Sequence, residues 1–122
     1  MLQELFVGLG GFAGAVSRYG VNALAGRFYA GTLPVGTLLV NIVGSFLIGL
    51  ITAWAAKTQA MPKELLLFLT VGFMGGFTTF SSFSLDSINL LEQGKIGIAA
   101  LNISFNVALC IFMCWIGKNC IK

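Results

Sequence analysis

The 122-residue sequence has no histidine, and only 9% of its residues are charged. The missing histidine removes the commonest general base, proton shuttle and metal ligand. Soluble domains carry roughly 25% charged residues and about 45–50% apolar residues, whereas this chain is 57% apolar with a mean hydropathy of +0.95. This composition excludes a soluble enzyme and indicates a membrane protein.

The three cysteines, Cys110, Cys114 and Cys120, form no CxxC pair. We expect them to pack as small apolar side chains. The first basic residue, Arg18, follows the first apolar run, which does not fit a cleaved secretory signal. We therefore expect the mature protein to begin at Met1.

Charges divide the chain into long uncharged runs, and a bilayer-spanning helix needs roughly 20 apolar residues. The runs lack the alternation of polar and apolar residues found in barrel strands. We predict one all-α membrane domain over residues 1–122, multi-pass in the cell (inner or plasma) membrane. Its four transmembrane helices are expected at about 3–25, 35–56, 64–91 and 96–118.

The basic residues are nearly balanced between the two sides of such a bundle. With four spans, one side holds Lys57, Lys63, Lys118 and Lys122. The other side holds Arg27 and Lys95, plus Arg18 if it reaches that interface. Because an excess of basic residues sets orientation, the subunit is expected to insert either way up.

The first two spans each carry a polar residue among small ones. Arg18 follows Gly10 and Gly14, which suit close helix packing in lipid. A buried arginine is a functional candidate, but Arg18 could also extend to the interface. Asn41, with Gly44 on the same helical face, could bond two helices together or offer N–H donors to an anion.

The third span contains GFMGGFTTFSSF at 72–83. Each glycine costs about 1 kcal/mol in a helix relative to alanine, so we predict a break at 75–79 in this span. Non-helical backbone within a membrane is tolerated only beside protein or a cavity. The break leaves carbonyls able to bind a small cation and N–H groups able to attract an anion.

Aromatic and hydroxyl side chains follow the predicted break. Phe80 and Phe83 are three residues apart on one helical face, and Ser81 and Ser82 lie between them. A phenyl ring has a positive edge, so two ring edges and nearby hydroxyls could hold a dehydrated anion. Core packing is the simpler interpretation of the two phenylalanines alone.

The fourth span places Asn102 and Asn106 four residues apart. Two amides on one stripe of a lipid-embedded helix are costly unless they face partners or water. We expect them to extend the polar track begun by Asn41.

Three stretches of the chain resemble the signature motifs of the Fluc (CrcB) fluoride channel family. They are GGFAGAVSRY at 10–19, TLLVNIVGSFLIG at 37–49 and GFMGGFTTFSSF at 72–83. The resemblance implies a fluoride-selective channel that passively exports fluoride, not an enzyme. It also implies an antiparallel, dual-topology homodimer with two pores.

The resemblance further implies a central structural sodium ion, Na+, held by the backbone carbonyls of Gly75 and Thr78 from each subunit. The anion pathway implied by the motifs comprises Asn41, Phe80, Phe83, Ser81, Ser82 and Arg18, and the polar track adds Asn102 and Asn106. The chain departs from the family pattern at four positions. Phe77 and Ser82 stand where the family often has Leu and Thr. Asn102 and Asn106 stand where many members have Tyr and Ser, although some members have Asn at both positions.

Two other functions compete with a channel. A small dual-topology proton-coupled exporter would have a similar length, but it needs a carboxylate deep in a span, and Asp86 comes late in the third span. A purely structural subunit would explain the glycines but not a break flanked by Phe80 and Phe83.

Overall fold

The computed structural model describes residues 1–121, and every regular element in that range is a helix. The all-helical prediction is therefore confirmed for this part of the chain. Helix α1 covers Leu2–Phe28 and helix α2 covers Val35–Thr58. Lys122, one of the basic residues assigned to the tail, lies outside the described residues.

Two composite stretches follow, and we name them the third and fourth crossings. The third comprises α3 (Lys63–Leu67), a π-helical segment (Phe68–Met74), α4 (Gly75–Phe77) and α5 (Ser81–Glu92). The fourth comprises α6 (Ile96–Ser104), a π-helical segment (Phe105–Leu109) and α7 (Cys110–Asn119). Wide π-helical turns are rare and concentrate at functional sites, and the sequence did not predict them.

Within residues 1–121, three stretches are long and apolar enough to cross a membrane: Val35–Thr58, Lys63–Glu92 and Ile96–Asn119. Helix α1 has 27 residues, which gives a length of about 40 Å at the α-helical rise. Its charges at Glu4, Arg18 and Arg27 make it less apolar than the others. These helices make the chain a multi-pass membrane protein.

Helix α1 packs on the third crossing through glycines, backbone against backbone. A Cβ atom added to Gly72 would lie 2.7 Å from the Val7 carbonyl oxygen, and one added to Gly76 would lie 2.5 Å from that of Gly11. Small residues allow such close approach of helices in lipid. This contact holds one side of the third crossing against α1, and the opposite side faces α2 and the fourth crossing.

Candidate functional site

The third crossing is interrupted at residues 78–80. Helix α4 ends at Phe77, Thr78 is extended with φ −87° and ψ 160°, and α5 begins at Ser81. The expected interval was 75–79, but the two glycines are still helical. The Thr78 N–H and hydroxyl both donate to the Met74 carbonyl, at 3.0 and 2.8 Å, which carries the helical bonding pattern up to Thr78.

Two hydrogen bonds of a continuous helix are redirected at the interruption. In an α-helix the Thr79 N–H would donate to the Gly75 carbonyl and the Ser82 N–H to the Thr78 carbonyl. Here the Thr79 N–H donates to Asn41 Oδ1 at 2.8 Å, and the Ser82 N–H donates to Thr79 Oγ1 at 3.1 Å. The carbonyls of Gly75 and Thr78 thus lose the donors that a helix would give them.

Arg18 donates a hydrogen bond to the carbonyl of Gly76, which lies between Gly75 and Thr78 in the sequence. Its Nε donates to the Gly76 carbonyl oxygen at 2.9 Å, and the side chain is half-buried. A cation near the carbonyl end of a helix is favourable because the helix dipole is negative there. Arg18 therefore caps the half-helix that precedes the interruption.

The backbone at Gly75 is open to a small ion. Gly75 is exposed, and a Cβ atom added to it would meet only the Thr70 carbonyl oxygen, at 4.0 Å. Backbone oxygens are suitable ligands for hard cations, including sodium at broken helices. The carbonyls of Gly75 and Thr78 are oxygens of this type, and each lacks the N–H donor that a continuous helix would give it.

An open cavity of about 500 Å³ lies beside the interruption. Its walls come from α2 and from the third and fourth crossings. The lining residues are Asn41, Gly44, Ser45, Ile48, Thr70, Met74, Gly75, Thr78, Thr79, Phe80, Phe83, Asn106, Val107, Cys110 and Ile111. None of these residues has an ionisable carboxylate or a basic group.

Phe80 and Phe83 meet at one edge of this cavity. Their ring centroids are 5.1 Å apart and the ring planes are inclined by 64°, an edge-to-face arrangement. Phe83 is buried, with 7% of its surface exposed, whereas Phe80 is 75% exposed. One ring is therefore enclosed by the subunit and the other lies open at its surface.

The predicted pathway residues are only partly collected around the cavity. Asn41, Phe80, Phe83 and Asn106 line it, while Ser81 and Ser82 begin the first turn of α5 beyond Phe80. The Ser81 hydroxyl is exposed and lies 3.3 Å from Thr79 Oγ1. Arg18 and Asn102 lie outside the lining residues and reach the site through Gly76 and Asn106.

Asn41 pairs with both backbone groups of Thr79. Its Oδ1 accepts the Thr79 N–H at 2.8 Å and its Nδ2 donates to the Thr79 carbonyl at 3.0 Å. Nδ2 also donates to Asn106 Oδ1 at 2.8 Å. The Asn41 side-chain amide thereby gives the Thr79 N–H and carbonyl the hydrogen-bond partners that a continuous helix would have supplied.

The hydrogen bonds continue from Asn106 toward α5. Asn106 Nδ2 donates to the backbone oxygen and to Oδ1 of Asn102, at 2.8 and 3.0 Å. Asn102 Nδ2 donates to Ser87 Oγ at 3.0 Å, and the Ser87 hydroxyl donates to the Phe83 carbonyl at 2.8 Å. We call Asn41, Asn106, Asn102 and Ser87 the amide chain.

Sequence reasoning missed Thr79 and Ser87. Ser87 follows Phe83 by four residues, the spacing at which a serine hydroxyl reaches a helical carbonyl, but that pattern gives no hint of a partner on the next helix. Thr79 could not be assigned because its role depends on the backbone conformation at the interruption.

The chain matches a known family over nearly its whole length. Residues 5–118 match the family described as CrcB-like protein, Camphor Resistance (CrcB). A protein of Geobacter sulfurreducens is 50% identical over 121 residues, which cover 96% of this chain and 94% of that protein. One of Ruminiclostridium cellulolyticum is 43% identical over 122 residues, covering 100% and 94%.

A relative from Shewanella halifaxensis is 43% identical over 119 residues, covering 98% of this chain and 95% of its own. All three relatives bear the name fluoride-specific ion channel FluC. Both the family match and these identities extend across the interrupted crossing and the cavity. The chain belongs to the CrcB family.

Proposed function

We propose that this protein is a fluoride channel that lets fluoride leave the cell passively, and that it is a transport protein and not an enzyme. The observation that carries the proposal is the interruption at 78–80 on the wall of an uncharged cavity. Relatives of up to 50% identity that carry the fluoride channel name support the choice of ion.

The anion pathway is proposed to run past the paired rings. The edges of Phe80 and Phe83 carry partial positive charge, and hydroxyls of Ser81 and Ser82 stand at the start of α5. Fluoride is small and accepts strong hydrogen bonds, so a narrow path with these donors favours it over chloride. Asn41 and Asn106 belong to the cavity wall, Asn102 lies behind them, and Arg18 lies at the edge of the pathway.

Sodium is proposed to bind at the carbonyls of Gly75 and Thr78. When bound, the ion supplies positive charge beside an anion path and joins the two halves of the third crossing. The support is that the N–H groups of Thr79 and Ser82 are directed away from these carbonyls. Loss of sodium should lower fluoride transport.

The functional unit is proposed to be an antiparallel dimer of identical chains. The exposed Gly75 and the 75% exposed Phe80 ring support a second copy at this face. A second subunit related by a two-fold axis would double the carbonyls from two to four and cover the cavity. The balance of basic residues supports insertion in both orientations.

Fluoride efflux from liposomes tests the function. Purified protein is reconstituted into vesicles loaded with fluoride, and release is followed with a fluoride electrode without a proton gradient. A channel releases the ion rapidly under these conditions. A proton-coupled exporter, the competing function, would release its cargo only when a proton gradient is imposed, and that result would overturn the proposal.

Side-specific labelling tests the dual topology. A variant that keeps Cys120 in the tail and replaces Cys110 and Cys114 with alanine is exposed to impermeant thiol reagents in intact cells. Insertion in both orientations predicts that about half of the Cys120 thiols are labelled from outside and the rest only after permeabilisation. Labelling from one side alone would exclude an antiparallel dimer.

A further inference from the structure

We propose that Asn106 is a positioning residue that acts through Asn41 to keep the Thr79 peptide out of the helix, and that it does not bind the transported anion. The consequence for transport rests on the proposed function, whereas the consequence for the Thr79 backbone does not. The amide chain carries the inference.

The direction of every hydrogen bond in the amide chain follows from its first member. The Thr79 N–H can only donate, so the oxygen of the Asn41 amide must face it and the nitrogen must face the Thr79 carbonyl. The remaining N–H of Asn41 then requires an acceptor, and Asn106 Oδ1 supplies it at 2.8 Å. Asn106 thus accepts the second N–H of Asn41 and stabilises the orientation of the Asn41 amide that Thr79 requires.

Asn106 has no amide proton left for an anion. Both of its contacts on Nδ2 go to Asn102, at 2.8 Å to the backbone oxygen and 3.0 Å to Oδ1. Asn106 is 6% exposed and Asn102 is 0% exposed. Because a buried amide that loses its partner is costly, these contacts hold Asn106 in one orientation.

The amide chain keeps the Gly75 carbonyl free of its helical donor. If Asn41 turns away, the Thr79 N–H has no acceptor from α2, and donation to Gly75 becomes its nearest helical alternative. The amide chain thereby maintains the extended segment that separates α4 from α5.

Hydrogen exchange at one backbone amide tests this role. The full-length protein is prepared in detergent micelles containing sodium, and exchange of the Thr79 N–H is followed by NMR in wild type and in Asn106→Leu. We expect exchange at least tenfold faster in the variant, because the Thr79 N–H then moves between Asn41 and the Gly75 carbonyl and meets water while it is bonded to neither. We also expect a fluoride efflux at least tenfold slower. A loss of packing alone would speed exchange at many amides around residue 106 together, whereas the inference predicts a change at Thr79 that exceeds the change at its neighbours.

The chain offers a matched control in Asn119→Leu. Asn119 lies at the end of α7, and its Nδ2 donates only to the exposed Trp115 carbonyl at 2.7 Å. The same substitution there should leave both the Thr79 exchange rate and the efflux rate unchanged.

A second variant covers the case in which Asn106→Leu does not fold. Asn102→Leu leaves the cavity lining intact, removes the Oδ1 partner of Asn106 but keeps the Asn102 backbone oxygen, and also removes the donor to Ser87 Oγ. We therefore expect a smaller effect, about threefold faster exchange at Thr79. Wild-type exchange in both foldable variants would overturn the inference even if efflux falls. If the variants exchange faster at Thr79 but the wild-type protein releases no fluoride, the inference is supported and the proposed function is rejected.

Discussion

The two sides of the third crossing both carry glycine, but the surroundings of the glycine differ between them. On the side of α1, a Cβ atom at Gly76 would lie 2.5 Å from a neighbouring backbone oxygen. On the cavity side, a Cβ atom at Gly75 would meet nothing closer than 4.0 Å. Adjacent glycines thus separate packing from function: Gly76 permits helix contact, and Gly75 exposes backbone to a cavity.

Arg18 and Asn41 approach the interruption from these opposite sides. Arg18 on α1 bonds the Gly76 carbonyl, and Asn41 on α2 bonds both backbone groups of Thr79. The interruption is therefore supported on both sides by side chains that replace helical hydrogen bonds, which allows a non-helical backbone within a membrane.

The largest expected effect is a loss of stability when a side chain is added at Gly76, where the third crossing contacts α1. Gly76→Ala should lower the free energy of unfolding in micelles by about 3 kcal/mol, because backbone atoms of Gly11 and Ala15 obstruct the new methyl group. Gly20→Ala is the matched control, since nothing lies within 4 Å of a Cβ atom there. Equal stability of the two variants would show that the contact is not tight.

A further effect is expected on the cavity side when the donor group of Asn41 is replaced by an acceptor. Asn41→Asp places oxygen against the Thr79 carbonyl and Asn106 Oδ1 and adds negative charge beside an anion path. Fluoride efflux should fall at least tenfold, the equivalent of about 1.4 kcal/mol in the barrier. Asn89→Asp, at an exposed position of α5, should keep its efflux, and normal efflux in the Asn41→Asp variant would show that Asn41 only packs.

Arg18→Gln probes the support from α1. Loss of the charged hydrogen bond to Gly76 should lower the free energy of unfolding by about 2 kcal/mol. Arg27→Gln, in the exposed last turn of α1, should change stability little. If both variants unfold alike, Arg18 does not support the interruption.

Gly75→Ala should have the smallest effect on folding and sharpen the contrast with Gly76. Within one subunit the methyl group enters open space, and alanine favours the helix, so the free energy of unfolding of a single subunit should stay equal or rise by less than about 1 kcal/mol. The sodium concentration that gives half-maximal efflux should rise, because the methyl group narrows the approach to the carbonyl. An unchanged sodium requirement would argue against an ion at Gly75.

The sequence predicted the helical class because long uncharged runs leave few alternatives in lipid. It also indicated where glycines and hydroxyls would concentrate in the third crossing. It could not show that Thr78 completes the first half-helix, since that depends on a side-chain hydroxyl sharing the Met74 carbonyl. Nor could it predict that Asn41 pairs with Thr79, which needs the relative placement of two helices.

The same limit applies to the fourth crossing. The spacing of Asn102 and Asn106 predicted a polar stripe, and both side chains are buried. Whether such amides meet an anion or one another depends on the partner surface. Here Ser87 of α5 and Asn41 of α2 supply that surface.

Fluoride efflux from vesicles containing Phe83→Ile or Phe73→Ile tests the central contrast most directly. Phe83 lies at the cavity beside Phe80, whereas Phe73 stacks on Phe77 with centroids 5.7 Å apart. The account predicts that Phe83→Ile loses most of its efflux while Phe73→Ile retains it. Equal efflux from the two variants would contradict the assignment of transport to the cavity side.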